Sequence, residues 1–244
     1  PGDNWPEGGQ KSSPILIERT LPHSLMVNKF GKRFCNEATN YSALAGAFHF
    51  FDPNEYGYPN LPSWIIFDSN YRDKYPFANV MPGSENPDWL KHSGTLEGLA
   101  EELDINSENL IETVNFFNSY VENGDDIEFS RGKSEYDSFY GDRSKAGVYS
   151  TLGKLEKAPY FAAEINIGAL GTNGGARTDE LGRVISASGS VIEGLYTVGN
   201  AMSGSTGSVY AGAGGTLGPA LTYGYLAGRH AAGNNYVSKE SYNE

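Results

Sequence analysis

The run of residues best suited to chemistry lies between Gly194 and Pro219, and it is built on glycine rather than on acids, bases or nucleophiles. It reads Gly194-Leu-Tyr-Thr-Val-Gly-Asn-Ala-Met-Ser-Gly-Ser-Thr-Gly-Ser-Val-Tyr210-Ala-Gly-Ala-Gly-Gly-Thr-Leu-Gly218-Pro. The pattern predicts a strand, a glycine-rich loop and then a helix. Such a loop lets backbone N–H groups approach a flat or anionic ligand closely. The start of the helix adds free N–H groups and a partial positive charge aimed at the same place. From Gly199 to Pro219 there is no Arg, Lys or His. A dicarboxylate needs cations to clamp it, so this loop counts against a dicarboxylate substrate.

Other chemistries lack their residues. There is no Gly-x-Ser-x-Gly elbow, no Walker loop and no His-Glu-x-x-His pair. His23, His49, His92, His230 and the single Cys35 show no metal-ligand spacing, so no metal is expected. A Gly-x-Gly-x-x-Gly turn is also absent, because Leu217 stands at the sixth position after Gly212 and Gly214. A dinucleotide could be contacted here, but its main pyrophosphate-binding turn is not in this sequence.

The elements that must position this loop can be read from periodicity and turn residues. Leu25–Asn28 and Arg33–Cys35 flank the turn Lys29-Phe30-Gly31-Lys32 and predict a hairpin. A short strand is expected at Ile15–Ile17, a helix over Ala43–Phe51 and a buried strand at Trp64–Phe67. Residues 69–94 read as a surface excursion. Helices are expected over Leu96–Leu103 and Glu108–Glu122, the second capped by Ser107 and ended by Gly124. In that helix Leu110, Val114, Phe117 and Val121 share one face. Residues 123–145 read as a solvated loop or arm. After Pro159 come a strand at Tyr160–Ile167, short segments near Ala176–Thr178, Arg183–Ser186 and Leu195–Val198, and a small-residue helix over Gly218–Ala232.

Composition narrows the class. The 244 residues are 39% hydrophobic, enough for a core. Thirty acidic against 18 basic residues give a net charge of −12. Phosphate backbones need a basic face, so no nucleic-acid partner is expected. One cysteine fits a reducing compartment, and the expected location is the cytoplasm. The chain starts at Pro1, which suggests a fragment or a processed piece.

The Gly194–Ala232 stretch resembles the C-terminal signature of flavin-dependent 3-ketosteroid dehydrogenases, within the fumarate reductase/succinate dehydrogenase flavoprotein group. Met26-Val-Asn-Lys-Phe-Gly-Lys-Arg-Phe-Cys-Asn-Glu37 is similar to the hairpin that opens that family's substrate domain. Gly171-Thr-Asn-Gly-Gly-Ala-Arg-Thr-Asp and Gly189-Ser-Val-Ile-Glu-Gly-Leu-Tyr also match. The resemblance runs from about residue 15 to residue 233. It implies an α/β plus α+β architecture: the C-terminal part of a Rossmann-like FAD domain with an inserted α+β substrate (cap) domain. The expected division is 1–24 as the loop-rich end of the FAD domain, 25–159 as the substrate domain and 160–244 as the C-terminal part of the FAD domain. An N-terminal half carrying the pyrophosphate turn would come from elsewhere, on this chain or another.

The resemblance also implies residue roles. Tyr210 hydroxyl and Gly214 N–H would donate to the 3-keto oxygen of a steroid, Tyr41 would take the proton from C2, and flavin N5 would accept a hydride from C1. Gly199, Asn200, Gly215, Thr216, Leu217 and Gly218 would contact FAD. Ala211 stands where the family often has Pro, which leaves the bond desaturated open. A fumarate-reductase-like enzyme usually carries His and Arg where Thr206 and Tyr210 stand here. The remaining alternative is an inactive fragment or partner-binding subunit.

Overall fold

The computed structural model describes residues 13–169, 171–204, 207, 210 and 212–233. Thr206, Ala211 and the first half of the 1–24 segment lie outside the described residues. Two compact units divide the chain, one ending at Ile167 and the other starting at Gly168.

The first unit is built on four antiparallel strands: β1 (Ser24–Asn28), β2 (Ser63–Phe67), β3 (Lys91–Ser93) and β4 (Tyr160–Ile165), in the order β1-β2-β4-β3. Alternation assigns each side chain to a face. Met26, Ile65, Phe67, Phe161 and Ala163 point into one cluster with Leu44, Phe48, Tyr71 and Phe77. Leu25, Val27, Ile66 and Ala162 point into the other, under helices α3 (Leu96–Leu103) and α4 (Ser107–Asn123). Both faces are covered, which is why β2 reads Ser-Trp-Ile-Ile-Phe with hardly a polar residue. The predicted face of α4 is buried as a set: Leu110, Val114, Phe117 and Val121.

Several expectations shift. Asn28 N–H bonds Lys32 O across the predicted turn, but Arg33–Cys35 is not a strand, because Arg33 turns inward to a buried charge cluster. Gly31 sits at φ +74°, and a Cβ there would lie 3.0 Å from Asn106 O, so the turn packs hard against the start of α4. Asn106, not Ser107, caps α4, its side chain accepting from Asn109 N–H. Ile15–Ile17 forms no strand. Helix α1 runs over Tyr41–Phe48, starting two residues earlier than expected and ending before His49. The 69–94 excursion contains α2 (Ser69–Lys74), capped by Asp68, and the 123–145 arm contains α5 (Glu135–Phe139). β4 belongs to the first unit's sheet, so the break between units falls after this strand rather than at Pro159. Residues 13–24 also pack with the first unit.

The second unit holds an antiparallel pair, β5 (Arg183–Ile185) with β6 (Val191–Tyr196), a 3-10 turn at Gly199–Ala201 and helix α6 (Leu217–Ala231). No parallel sheet occurs among its described residues. Among the described residues of the chain, no helix is long and apolar enough to cross a membrane.

Candidate functional site

Tyr41 is the first residue of α1 and is half-buried. The helix starts there because the Asn40 side chain accepts a hydrogen bond from Ala43 N–H at 2.9 Å, satisfying one orphan donor of the first turn. Leu44 and Phe48, four residues apart, sink into the core and hold the helix down. The placement of Tyr41 therefore depends on the backbone that leads into it.

That backbone is held by a buried charge cluster. Glu37, fully buried, accepts from Arg33 Nε and Nη2 at 2.9 Å each, from Arg131 Nη1 at 3.1 Å and from Met26 N–H at 3.0 Å. Arg33 also reaches Asp126 at 3.0 Å, and its guanidinium lies between the rings of Phe117 and Phe129. Asn36 donates to Asp137 at 2.9 Å. Arg19 Nη1 donates to the carbonyls of Glu37 and Thr39. Burial alone would raise the Glu37 carboxyl, but the guanidiniums of Arg33 and Arg131 outweigh it and hold it below its usual range. Asp126 shows the same balance, with burial overcome by Arg33 and by backbone N–H groups.

These shifts carry a stability prediction. Folded values below unfolded ones mean that the carboxylates stabilise fully above the unfolded value of about 4. That contribution drains away as pH falls through the lower folded values. Glu37→Gln leaves two guanidiniums buried beside a neutral amide, so the first unit should lose about 3–5 kcal/mol at pH 7. It should also lose part of its acid sensitivity. Urea unfolding at pH 7 and pH 4 measures both, and an unchanged midpoint at pH 7 contradicts the reading.

In the second unit the structure gathers most of the residues expected to contact a cofactor. Gly199 opens the 3-10 turn beside α6, where a Cβ on it would lie 3.1 Å from the Ala220 Cβ. Asn200 O accepts from Gly174 N–H at 3.1 Å, which ties the Gly171–Gly175 segment to the same place. Gly215 N–H bonds Gly212 O, and Gly218 N–H bonds Gly214 O. Thr216 precedes α6 without capping it through its side chain. Among the described residues, the N–H groups of Gly214, Thr216 and Leu217 have no hydrogen-bond acceptor. Gly212 and Gly214 lie at φ +107° and +85°, with no atom within 4 Å of where a Cβ would sit. Tyr210 belongs to the same loop in sequence and is 36% exposed. His230 is held by Tyr196, whose hydroxyl lies 2.7 Å from its Nδ1. Tyr41 belongs to the other unit.

Sequence reasoning did not find the Arg19–Glu37–Arg33–Arg131 cluster. Its one local signal was the i, i+4 pair Arg33 and Glu37, since Arg19 and Arg131 are remote in sequence. An open groove of about 430 Å³ in the first unit is lined by Lys32, Arg33, Thr113, Phe116, Tyr120 and Glu128 among others, and includes none of the expected site residues.

A family model described as FAD binding domain matches residues 4–217. The chain belongs to this flavoprotein family. Over 219 residues it is 42% identical to 4-oxocyclohexanecarboxylate 2-dehydrogenase of Sinomonas cyclohexanicum, covering 90% of this chain and 38% of that protein. It is 41% identical to 3-oxosteroid 1-dehydrogenase of Mycolicibacterium smegmatis, covering 92% and 41%. The crystal structure of 3-ketosteroid delta1-dehydrogenase from Sterolibacterium denitrificans, in complex with 1,4-androstadiene-3,17-dione, superposes with a TM-score of 0.84 at 36% identity, over 95% of this chain and 42% of that one. The chain thus spans about two fifths of the length of these relatives.

FAD is the cofactor this family membership indicates, and the residues present fit it. The loop before α6 offers open backbone donors, no charged side chain and unfilled space above its glycines, as a flat ring system with carbonyl acceptors requires.

Proposed function

We propose that this chain supplies the ketone-activating residues and the C-terminal part of the FAD site of a dehydrogenase. Its substrate is a six-membered cyclic ketone of the oxosteroid or oxocyclohexane class. The first unit serves as the substrate domain. The second is the C-terminal part of a Rossmann-like FAD domain. The observation that carries the reading is the N–H of Gly214, without an acceptor among the described residues, in a loop whose sequence also holds Tyr210 and has no cationic side chain. Such a pair suits a neutral carbonyl oxygen.

The names of the relatives agree on the chemistry. In each, the position dehydrogenated is two ring atoms from the oxo group: 4-oxo with 2-dehydrogenase, 3-oxo with 1-dehydrogenase. Hydrogen therefore leaves from the carbons α and β to the carbonyl. Tyr210 hydroxyl and Gly214 N–H polarise the carbonyl and hold the enolate oxygen as it develops. Tyr41 takes the α proton. Gly199, Asn200, Gly215, Thr216, Leu217 and Gly218 cradle the cofactor. The chemistry FAD supplies when bound is two-electron oxidation, by accepting a hydride from the β carbon.

A further segment with a Gly-x-Gly-x-x-Gly turn completes the FAD site, in cis or in trans. Leu217, Leu221 and Tyr225, four residues apart along α6, are 69%, 74% and 59% exposed, an apolar stripe of the kind such a segment covers. The 244-residue chain alone should bind FAD weakly, and the assembled enzyme tightly and without a covalent link. Titration calorimetry measures this, and tight stoichiometric FAD on the isolated chain contradicts it. The activity itself is tested by anaerobic mixing of the assembled enzyme with a 3-oxosteroid or 4-oxocyclohexanecarboxylate. The flavin should bleach and an α,β-unsaturated ketone should form. If fumarate reoxidises the reduced enzyme efficiently while neither ketone bleaches it, the reading fails.

A further inference from the structure

We propose that Arg19 is a positioning residue for Tyr41, acting through the two backbone carbonyls that lead into α1. This rests on the reading of Tyr41 as the base. Arg19 is 3% exposed and comes from a 3-10 turn remote in sequence from the helix. Its Nη1 donates to Thr39 O at 2.8 Å and to Glu37 O. Those carbonyls bracket Ala38, whose own N–H is held by Asn36 Oδ1 at 2.9 Å. The next residue, Asn40, caps α1, and Tyr41 follows.

Every residue from Asn36 to Asn40 is thus fixed by a directed hydrogen bond or by a neighbour that is. The Glu37 carboxylate is locked from the other side by Arg33 and Arg131. Arg19 makes no hydrogen bond to that carboxylate. Its guanidinium is spent on the main chain, and its Nη2 is buried with no partner among the described residues.

This is a poor arrangement for stability. Taking a guanidinium out of water can cost more than hydrogen bonds to two carbonyls return. What it provides is a fixed position for two carbonyls, and so for the start of a helix only eight residues long. Proton transfer needs the phenol oxygen within hydrogen-bond reach of the α carbon's proton. A displacement of about 1 Å can cost about 10² in rate.

The test is a double-mutant cycle in the assembled enzyme, using Arg19→Met, Tyr41→Phe and both together. The readouts are solvent-deuterium exchange at the α carbon of a 3-oxosteroid, the dissociation constant for that ketone, and the thermal midpoint. Arg19→Met should slow exchange roughly 10- to 100-fold and leave the dissociation constant within about twofold. The double variant should exchange no more slowly than Tyr41→Phe alone, because residues acting through one group are not additive. A wild-type exchange rate in Arg19→Met overturns the proposal. So does a double variant slowed by the product of the two single effects. If Arg19→Met has no cooperative melt, Arg19→Lys takes its place in the cycle. It keeps the charge and can reach one carbonyl, and should lose roughly 3- to 10-fold in exchange. A wild-type rate in Arg19→Lys then overturns the proposal. If Tyr41→Phe exchanges at the wild-type rate, the base assignment itself falls, and the role of Arg19 falls with it. A slow Tyr41→Phe beside a wild-type Arg19→Met removes the positioning role alone.

Discussion

Tyr41→Phe is expected to slow flavin reduction by a cyclic ketone by roughly 10²–10⁴, the range a positioned general base contributes, while ketone affinity and the flavin spectrum stay close to wild type. The reason lies in the difficulty of the step. An ordinary tyrosine has a pKa of about 10 and is a weak base at neutral pH. It can take a proton only from a carbon made acidic by an adjacent, polarised carbonyl, and only if its phenolate finds donors. In the proposed reading the first condition falls to Tyr210 and Gly214. The substitution keeps the ring and removes a single oxygen, so packing around Leu44 and Phe48 is preserved. Stopped-flow reduction under anaerobic conditions measures the effect. Reduction at the wild-type rate would make Tyr41 a packing residue and place the base elsewhere.

Tyr210→Phe should lower kcat by roughly 10²–10³, the usual cost of losing one donor to a developing oxyanion. An enolate oxygen accepts stronger hydrogen bonds than a ketone, so the loss falls on the transition state rather than on ground-state binding. The effect should therefore appear in kcat far more than in the dissociation constant of the substrate. It should also slow proton loss and flavin reduction together, because both depend on the same polarised carbonyl. Tyr41→Phe acts on the proton directly. In the proposed reading the second donor is the backbone N–H of Gly214, which no side-chain substitution removes cleanly, and its φ of +85° would strain any other residue. Steady-state kinetics with an equilibrium binding measurement decide the matter, and wild-type kcat in Tyr210→Phe would rule the role out.

Much of the local structure was legible because it rests on short-range rules. The apolar spacing of α4, the Gly124 that ends it in a left-handed conformation and the turn at Gly31 all act within a few residues. Residues that work over long distances were not legible. No spacing rule marks Glu37 as buried, yet it is fully buried and Arg131, 94 positions later, bonds its carboxylate. The same cluster turns Arg33 inward and so prevents the second arm of the predicted hairpin. Helix α2 was hidden for another reason. Its apolar anchor is Tyr71 alone, and six residues with an Asp68 cap show no periodicity to read.

The candidate site divides in the same way. The glycine loop and the start of α6 could be picked out because glycine is rare in such density, whereas Tyr210 stood out by resemblance. Gly199 meets Ala220 of α6, and Asn200 O accepts from Gly174 N–H, through contacts that no spacing rule predicts. Tyr41 also stood out by resemblance, and the structure shows what holds its backbone: the Asn40 cap and the carbonyls bonded by Arg19.

The most direct test of the central claim is hydrogen exchange at the α carbon. The assembled enzyme, with its flavin oxidised, is incubated with a 3-oxosteroid in D₂O, and recovered ketone is examined by NMR. Enzyme-dependent deuterium at the α position, lost in Tyr41→Phe and strongly reduced in Tyr210→Phe, is the predicted result. Exchange that is equal in wild type and Tyr41→Phe would contradict the claim that this chain carries the residues that enolise the ketone.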